Sequence, residues 1–195
     1  MASEGVSVKD ANRQLEAAMD RWVWYAGWAD KFAQAVGAAN PVAGPYFDFS
    51  LPEPTGVVAA VAPQDHSVLG LVSVLAPIIV TGNTVVAMPS PSRPLSSIAL
   101  AECLATSDVP GGVVNVLTGA PAEVMPWLAD HADVNALDLT GIVDSGVAID
   151  LQQRAAGTVK RVRGPRPRAD WYATPTMSRM QAFVEIKTVW HPKGT

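Results

Sequence analysis

The sequence has little of what several classes of protein require. Cys103 is the only cysteine, so no disulfide can form within the chain, as expected for a protein of a reducing cytosol. Charged residues make up 16% of the chain and hydrophobic residues 49%, a balance that excludes an intrinsically disordered protein and predicts a real core. Residues 1–20 are polar and charged, so we expect no secretory signal peptide and a cytoplasmic location.

Common motifs for phosphate and metal binding are also missing. The chain has no Gly-x-Gly-x-x-Gly pattern and no Walker A loop. His66, His131 and His191 lie far apart in the sequence, and each is expected at the surface or in a turn rather than on a metal. The sequence therefore predicts no metal centre.

Charged residues are absent between Asp65 and Arg93, and a run of this length at first suggests a membrane-spanning helix. Pro77 interrupts the run, and residues 81–84 form a polar turn signal within it. A core helix followed by a buried strand explains the run better, so we predict no association with a membrane.

Short apolar segments alternate with longer segments of helical spacing through the middle of the chain. Strands are predicted at residues 56–62, 84–88, 113–117, 134–139 and 158–162. This alternation predicts an α/β fold, with an open, mostly parallel five-stranded sheet and helices on both faces.

Flanking segments complete the predicted organisation. We divide the chain into an N-terminal helical segment at 1–39, the α/β domain at 40–162, a basic linker at 163–179 and a C-terminal strand at 180–195. In the first segment, a stripe of apolar side chains at helical spacing is predicted to face the core: Leu15, Ala18, Met19, Trp22 and Val23.

Charge is distributed unevenly along the chain. Residues 1–150 hold 16 Asp and Glu against 5 Lys and Arg, whereas residues 151–195 hold 9 Lys and Arg against 2 Asp and Glu. The stretch 163–168 is rich in arginine and proline, and a basic cluster can indicate nucleic-acid binding. Aromatic residues are not interleaved with it, so we predict a solvated linker, or an arm that docks on an acidic surface, and no nucleic-acid partner.

Several sequence blocks carry a resemblance to a known family. The chain contains, in order, PTGVV at 54–58, GNTVV at 82–86, PGGVVNVLTG at 110–119 and TG at 140–141. Their order and spacing resemble those of the Rossmann-like cofactor domain of aldehyde dehydrogenases. In that family a catalytic domain lies between the fifth strand and the C-terminal strand. The resemblance therefore implies a truncated, degenerate member in which the cofactor-type domain is joined directly to an oligomerisation strand.

The resemblance also implies a thiolate nucleophile, a general base and an oxyanion donor, and the chain departs from the family at each. Cys103 does not match the nucleophile and has no adjacent His or Lys, so we predict a buried structural cysteine. The general-base position of the family falls in the stretch 163–168, which is basic and rich in proline here instead of acidic and rich in glycine. Asp65 stands where the family has an oxyanion-hole asparagine. We therefore predict a pseudoenzyme without catalytic residues.

The positions that hold NAD in the family are altered as well. Met88 and Pro91 replace the lysine and glutamate that bind the adenosine ribose, and Ile142 replaces a serine that meets the pyrophosphate. Methionine has no hydrogen-bond donor and proline has no carboxylate. We therefore expect no cofactor, with NAD binding weakly at most.

The segment 180–190 alternates in polarity and is rich in β-branched residues, which predicts a strand. It resembles the C-terminal strand through which aldehyde dehydrogenase subunits join. The alternative is that this strand folds back onto its own chain's sheet as an antiparallel edge. We hypothesise that it adds to the sheet of another chain. The partner-binding residues would then be Phe183, Val184, Glu185, Ile186, Lys187, Thr188, Val189 and Trp190.

Lost chemistry and a retained assembly strand together favour a noncatalytic subunit. It would be the structural or regulatory partner of a full-length aldehyde dehydrogenase in a hetero-oligomer. The alternative is a homo-oligomeric regulator that binds a nucleotide or metabolite in the crevice at the strand ends. A third hypothesis, an active enzyme with another mechanism, has no constellation of residues to support it.

Overall fold

The computed structural model describes residues 4–194, so residues 1–3 and 195 of the predicted terminal segments lie outside it. The helices are α1 Val8–Ala26, α2 Phe32–Val36, α3 Val68–Ile79, α4 Leu95–Ala105, α5 Pro121–Asp130, α6 Ser145–Ala156 and α7 Ser178–Gln181. The strands are β1 Ala38–Asn40, β2 Tyr46–Pro54, β3 Val57–Val61, β4 Thr84–Met88, β5 Val114–Val116, β6 Ala136–Asp138, β7 Arg161–Arg163 and β8 Val184–Pro192.

Five strands form a parallel sheet in the order β5-β4-β3-β6-β7, which confirms the predicted α/β fold. The strand β4 has the predicted bounds. The strand β7 instead begins three residues later than the strand predicted at 158–162. The cause is local, because α6 continues to Ala156 and Val159 then takes a left-handed conformation with a φ of 55° in the connecting turn.

Alternate side chains of the sheet enter two apolar clusters, one on each face. Ala59 and Leu137 belong to the cluster that α5 and α6 cover. Val58 and Ala60 belong to the cluster that α3 covers. Helices therefore pack on both faces, as predicted, and bury all of β6 and all of β3 except Val57.

The charge-free part of the chain forms α3 and β4. Nearly every residue of α3 is buried, because the helix packs against the sheet on one side and against α1 on the other. Its apolar character is therefore that of a core helix, as the sequence predicts. Within residues 4–194, no helix is both long enough and apolar enough to cross a membrane.

The helix α1 buries a different face from the one that its apolar stripe predicts. Its buried face is partly polar and consists of Gln14, Ala18, Arg21 and Tyr25. The prediction is wrong for Leu15, Met19 and Val23, which are exposed. The reason is that α3 presents two serines to α1. The Ser67 hydroxyl lies 3.3 Å from the Gln14 amide oxygen, and Arg21 donates to the Ser73 hydroxyl at 3.0 Å.

A second, antiparallel sheet has the order β1-β2-β8. The strand β8 pairs with β2 along its whole length, from Val184 opposite Pro54 to Pro192 opposite Tyr46. The tail strand therefore folds back onto its own chain, against β2 rather than against the parallel sheet. The premise that this strand lacks a partner in its own fold is wrong, because one of its two edges is satisfied by β2.

The start of the tail belongs to the core of its own chain. Residues 180 and 181 are helical rather than extended, since they end α7. Phe183 and Val184 are both buried, and Phe183 packs in the cluster beneath the parallel sheet. The Asn83 side chain donates to the Phe183 carbonyl at 2.8 Å. These contacts correct the assignment of Phe183 and Val184 as partner-binding residues.

The residues that follow the basic stretch pack against the body, whereas Arg166, Pro167 and Arg168 within the stretch are exposed. Trp171 is buried in an apolar cluster with Tyr25 and Leu69. The Arg166 amide donates to the Thr140 carbonyl at 3.2 Å, which ties the stretch to the loop after β6. The prediction of a solvated linker is therefore wrong at Trp171, because one tryptophan supplies enough apolar surface to anchor a segment that otherwise has a polar pattern.

Candidate functional site

A cavity of about 230 Å³ lies at the carboxyl ends of β3 and β6, where open α/β sheets bind ligands. The loops after the two strands approach closely at Gly141, where an added Cβ would lie 1.9 Å from the Ala62 carbonyl oxygen. Gln64 and Asp65 line the cavity from the loop after β3. Trp171 lines it from the segment that follows β7, so this part of the chain occupies space at the strand ends.

The three altered cofactor positions offer no polar side chain to a dinucleotide. Met88 and Ile142 are buried in the same apolar cluster, on the face of the sheet that α5 and α6 cover. Pro91 is exposed in the turn after β4. Next to it, the Ser90 hydroxyl is already engaged, since it donates to the Gln64 carbonyl at 2.8 Å. The residues present here do not fit the ribose and pyrophosphate of NAD.

Cys103 is exposed on α4, so the prediction of a buried cysteine is wrong. The apolar spacing of α4 suggested burial, yet Ser97 is the buried residue of this helix. The helix packs on β5 at the outer edge of the sheet, whereas the cavity lies between β3 and β6 at its centre. The thiol and Asp65 are therefore not brought together as a nucleophile and an oxyanion site.

The histidines of residues 4–194 lie apart from one another, as their spacing in the sequence suggests. His131 and His191 are exposed, as the sequence predicts. His66 is partly buried, and its ring centroid lies 5.9 Å from that of Tyr172. In the part of the chain that the structure describes, no three His, Cys, Asp or Glu side chains are grouped so that they could hold a metal ion.

A buried ion pair lies next to the cavity, at the end of β6. Arg179 donates to Asp138 Oδ2 at 2.7 Å, and the Asp138 side chain is completely buried. Asp138 Oδ1 accepts from the backbone N–H of Thr140 at 3.0 Å and also from its hydroxyl. These bonds attach α7, and hence the start of the tail, to the centre of the parallel sheet.

A second buried arginine, Arg21 of α1, holds the segment that follows β7 against this helix. Arg21 donates to the carbonyls of Trp171 and Ala173 at 2.6 and 3.0 Å. Burial lowers the pKa of Arg21, and burial followed by the neighbouring Arg179 lowers the pKa of Arg163. Both guanidinium groups nevertheless stay charged at neutral pH because the pKa of arginine is so high. Burial raises the pKa of the nearby Tyr25 hydroxyl, which is therefore neutral.

The sequence patterns do not identify Arg21, Asp138 and Arg179 as site residues. Two of them left a signal, because Asp138 interrupts an apolar strand and Arg21 interrupts the apolar residues of α1. A charge within a buried element is costly unless it is paired, so each of these two charged residues indicates a buried partner. The partner of Asp138 lies 41 residues away in the chain, and no local pattern identifies it.

Known proteins share both the sequence and the architecture of this chain. The sequence matches the profile of the aldehyde dehydrogenase family over residues 1–163. Retinal dehydrogenase 2 of Gallus gallus is 37% identical over 141 residues, which are 71% of this chain and 26% of that protein. The D-glyceraldehyde dehydrogenase (NADP(+)) of Thermoplasma acidophilum is 30% identical over 162 residues, which are 83% of this chain and 32% of that protein.

Solved structures agree with the sequence comparison. A betaine aldehyde dehydrogenase of Staphylococcus aureus, solved with NAD+, superposes with a TM-score of 0.74 at 25% identity, over 81% of this chain and 31% of that one. The chain spans less than a third of the length of each of these relatives. Because the family profile covers most of the sequence and the fold matches solved members, the chain belongs to the aldehyde dehydrogenase family.

Proposed function

We propose that the chain is a noncatalytic subunit that assembles with a full-length aldehyde dehydrogenase in the cytoplasm. The observation that carries this proposal is the second sheet. From Glu185 onward no residue of β8 is buried, so both faces of this part of the strand are open to a partner. Among residues 4–194, β8 has a strand partner on one edge only, and the other edge is available for pairing.

The side chains on this sheet also suit a protein partner. Tyr46 and Trp190 stack edge to face with ring centroids 5.8 Å apart, and both are exposed. Ile186 is exposed on the same face of the sheet as this pair, and Phe47 and Leu51 are exposed on the opposite face. Exposed aromatic and aliphatic side chains of this kind mark surfaces that another protein covers. Of the tail residues with a predicted role at the interface, Ile186 and Trp190 expose the most apolar surface.

Two of the other tail residues already have ion-pair partners in their own chain. Glu185 accepts from Arg161, and Lys187 donates to Glu53 at 2.9 Å. These are exposed pairs of the kind that contribute little free energy. We assign them a role in keeping β8 in register with its own chain, and assign partner binding to the apolar residues.

We expect NAD to bind weakly or not at all. Met88 and Pro91 remove polar contacts to the ribose, and each lost hydrogen bond costs about 1 kcal/mol or more. Calorimetric titration of the isolated chain with NAD measures this directly. A dissociation constant in the micromolar range or tighter would contradict the prediction and favour the nucleotide-binding regulator instead.

We expect no oxidation of aldehydes by the isolated chain, because the family's nucleophile and general-base positions are altered in the sequence and Cys103 lies away from the cavity. The measurement is NADH production with several aldehydes at high protein concentration. Turnover that disappears in Cys103→Ala would show that the exposed thiol is catalytic, and the proposal would then fail.

The assembly proposal is tested by Ile186→Lys, with Ile149→Lys as the matched control. Ile186 on β8 and Ile149 on α6 are exposed by 53% and 56%, so the two changes place the same charge at equally accessible positions. The chain is purified from its native host with a tag, and the co-eluting chains are identified and quantified. We expect Ile186→Lys to lose most of a co-eluting full-length aldehyde dehydrogenase, while Ile149→Lys keeps it.

Two outcomes would contradict assembly with a full-length aldehyde dehydrogenase through this sheet. One is an unchanged stoichiometry of the partner with Ile186→Lys. The other is a tagged wild-type chain that elutes as a homo-oligomer without any full-length aldehyde dehydrogenase. The second result would favour the alternative of a homo-oligomeric regulator.

A further inference from the structure

A second cavity, of about 160 Å³, lies between α1, α7 and the segment that connects β7 to α7. Its lining is strongly basic and includes Arg21, Tyr25, Arg163, Arg166, Ser178 and Arg179. We propose that this cavity binds a small oxyanion of the size of inorganic phosphate. The proposal is independent of the assembly role, because it concerns a site within the isolated chain.

The charges around the cavity do not balance. Four arginines line it together with a single carboxylate, that of Asp170, and the carboxylate of Asp138 is paired with one of the arginines. Asp138 is engaged by Arg179. Asp170 is exposed, and its Oδ1 accepts from the backbone N–H of Tyr172 at 2.9 Å. Positive charge is therefore in excess in a partly desolvated place, where a bound anion stabilises it strongly.

Hydrogen-bond donors at the cavity are also left over. The Nε atoms of Arg21, Arg163 and Arg179 are buried, and none of them bonds to any atom of residues 4–194. The Tyr25 hydroxyl is also buried and also forms no hydrogen bond with residues 4–194. Arg21 and Arg179 are only 6% and 7% exposed, so bulk water does not satisfy these side chains. Buried polar groups nearly always have partners, and four unmet groups around one cavity point to a missing acceptor.

An oxyanion fits these observations better than other ligands do. Its oxygens accept only, and charge-assisted bonds from guanidinium groups to such oxygens are among the strongest in proteins. The cavity, at about 160 Å³, is smaller than the roughly 300–1,000 Å³ of sites that hold larger ligands, which suits a single phosphate group. Arg166 is exposed at its border, so an ion can enter from solvent.

Inorganic phosphate is the probe for the test. We expect it to raise the melting temperature of the chain relative to sodium chloride of equal ionic strength, and to bind with a measurable heat in titration calorimetry. Glycerol 3-phosphate forms a second arm, which distinguishes a free ion from the phosphate group of a larger molecule. Binding of either probe supports the site. Equal effects of phosphate, its ester and chloride would overturn it.

Two variants and one control locate the binding. Arg163→Gln and Tyr25→Phe each remove a donor at the cavity and are expected to weaken phosphate binding about tenfold or more. Arg168→Gln removes the same charge as Arg163→Gln from an exposed position of the same segment, and we expect a change of less than about twofold. An equal loss in Arg163→Gln and Arg168→Gln would show general charge attraction instead of a site.

Tyr25→Phe keeps the proposal testable if Arg163→Gln fails to fold. Without phosphate, we expect Tyr25→Phe to be as stable as the wild-type chain or more so, because it removes a buried hydroxyl that has no partner. A folded Tyr25→Phe chain that binds phosphate as tightly as the wild type would contradict a role for this hydroxyl in the site.

Discussion

The substitution Asp138→Ala is expected to lower the free energy of unfolding by about 3–5 kcal/mol, which is the usual cost of removing one partner of a buried ion pair. The charge of Arg179 would remain buried beside a cavity that already holds excess positive charge. The substitution also removes the acceptor for the Thr140 backbone N–H at the end of β6. Urea unfolding, followed by circular dichroism, measures the change.

An exposed ion pair of the same residue types provides the control. Asp130 accepts from Arg154 at 2.7 Å, and its side chain is half exposed. We expect Asp130→Ala to change the free energy of unfolding by less than about 1 kcal/mol. The double variant Asp138→Leu with Arg179→Met replaces the buried pair by apolar side chains, and we expect it to be more stable than Asp138→Ala alone. A loss below about 1 kcal/mol in Asp138→Ala would mean that this pair does not hold α7 to the sheet.

The substitution Phe183→Ala is expected to lower the free energy of unfolding by about 3–5 kcal/mol. Trp190→Ala, within the strand that follows, is expected to lower it much less. Phe183 is fully buried between the parallel sheet and α3, so its removal leaves a cavity in the core. Trp190 is exposed and packs mainly on Tyr46, and an aromatic pair of this kind contributes about 0.5–1.5 kcal/mol. Urea unfolding of both variants gives the two values.

This pair of variants separates the two roles of the tail. Phe183 anchors the tail to its own fold, and Trp190 is free to contact a partner. We therefore expect Trp190→Ala to fold normally and to lose part of its co-purifying partner. Similar losses of stability in the two variants would show that the tail beyond Val184 is part of the core, and the assembly proposal would lose its main support.

Several features of the protein follow from the sequence alone. The five parallel strands and the helices between them were predictable because hydrophobic periodicity is local and each element carries its own signal. The loss of polar groups at Met88, Pro91 and Ile142 was equally visible, since it depends on residue type and on position in a family pattern. The core position of α3 could be predicted because no surface element avoids charge over such a length.

Other features were decided only by tertiary structure. The buried face of α1 depends on the serines that α3 presents, and the exposure of Cys103 depends on how little of α4 is covered. The pairing of β8 with β2 and of Arg179 with Asp138 joins residues that are far apart in sequence. Local periodicity shows that a segment is a strand or that a buried charge needs a partner. It does not identify that partner, because the pairing is chosen by the packing of the whole chain.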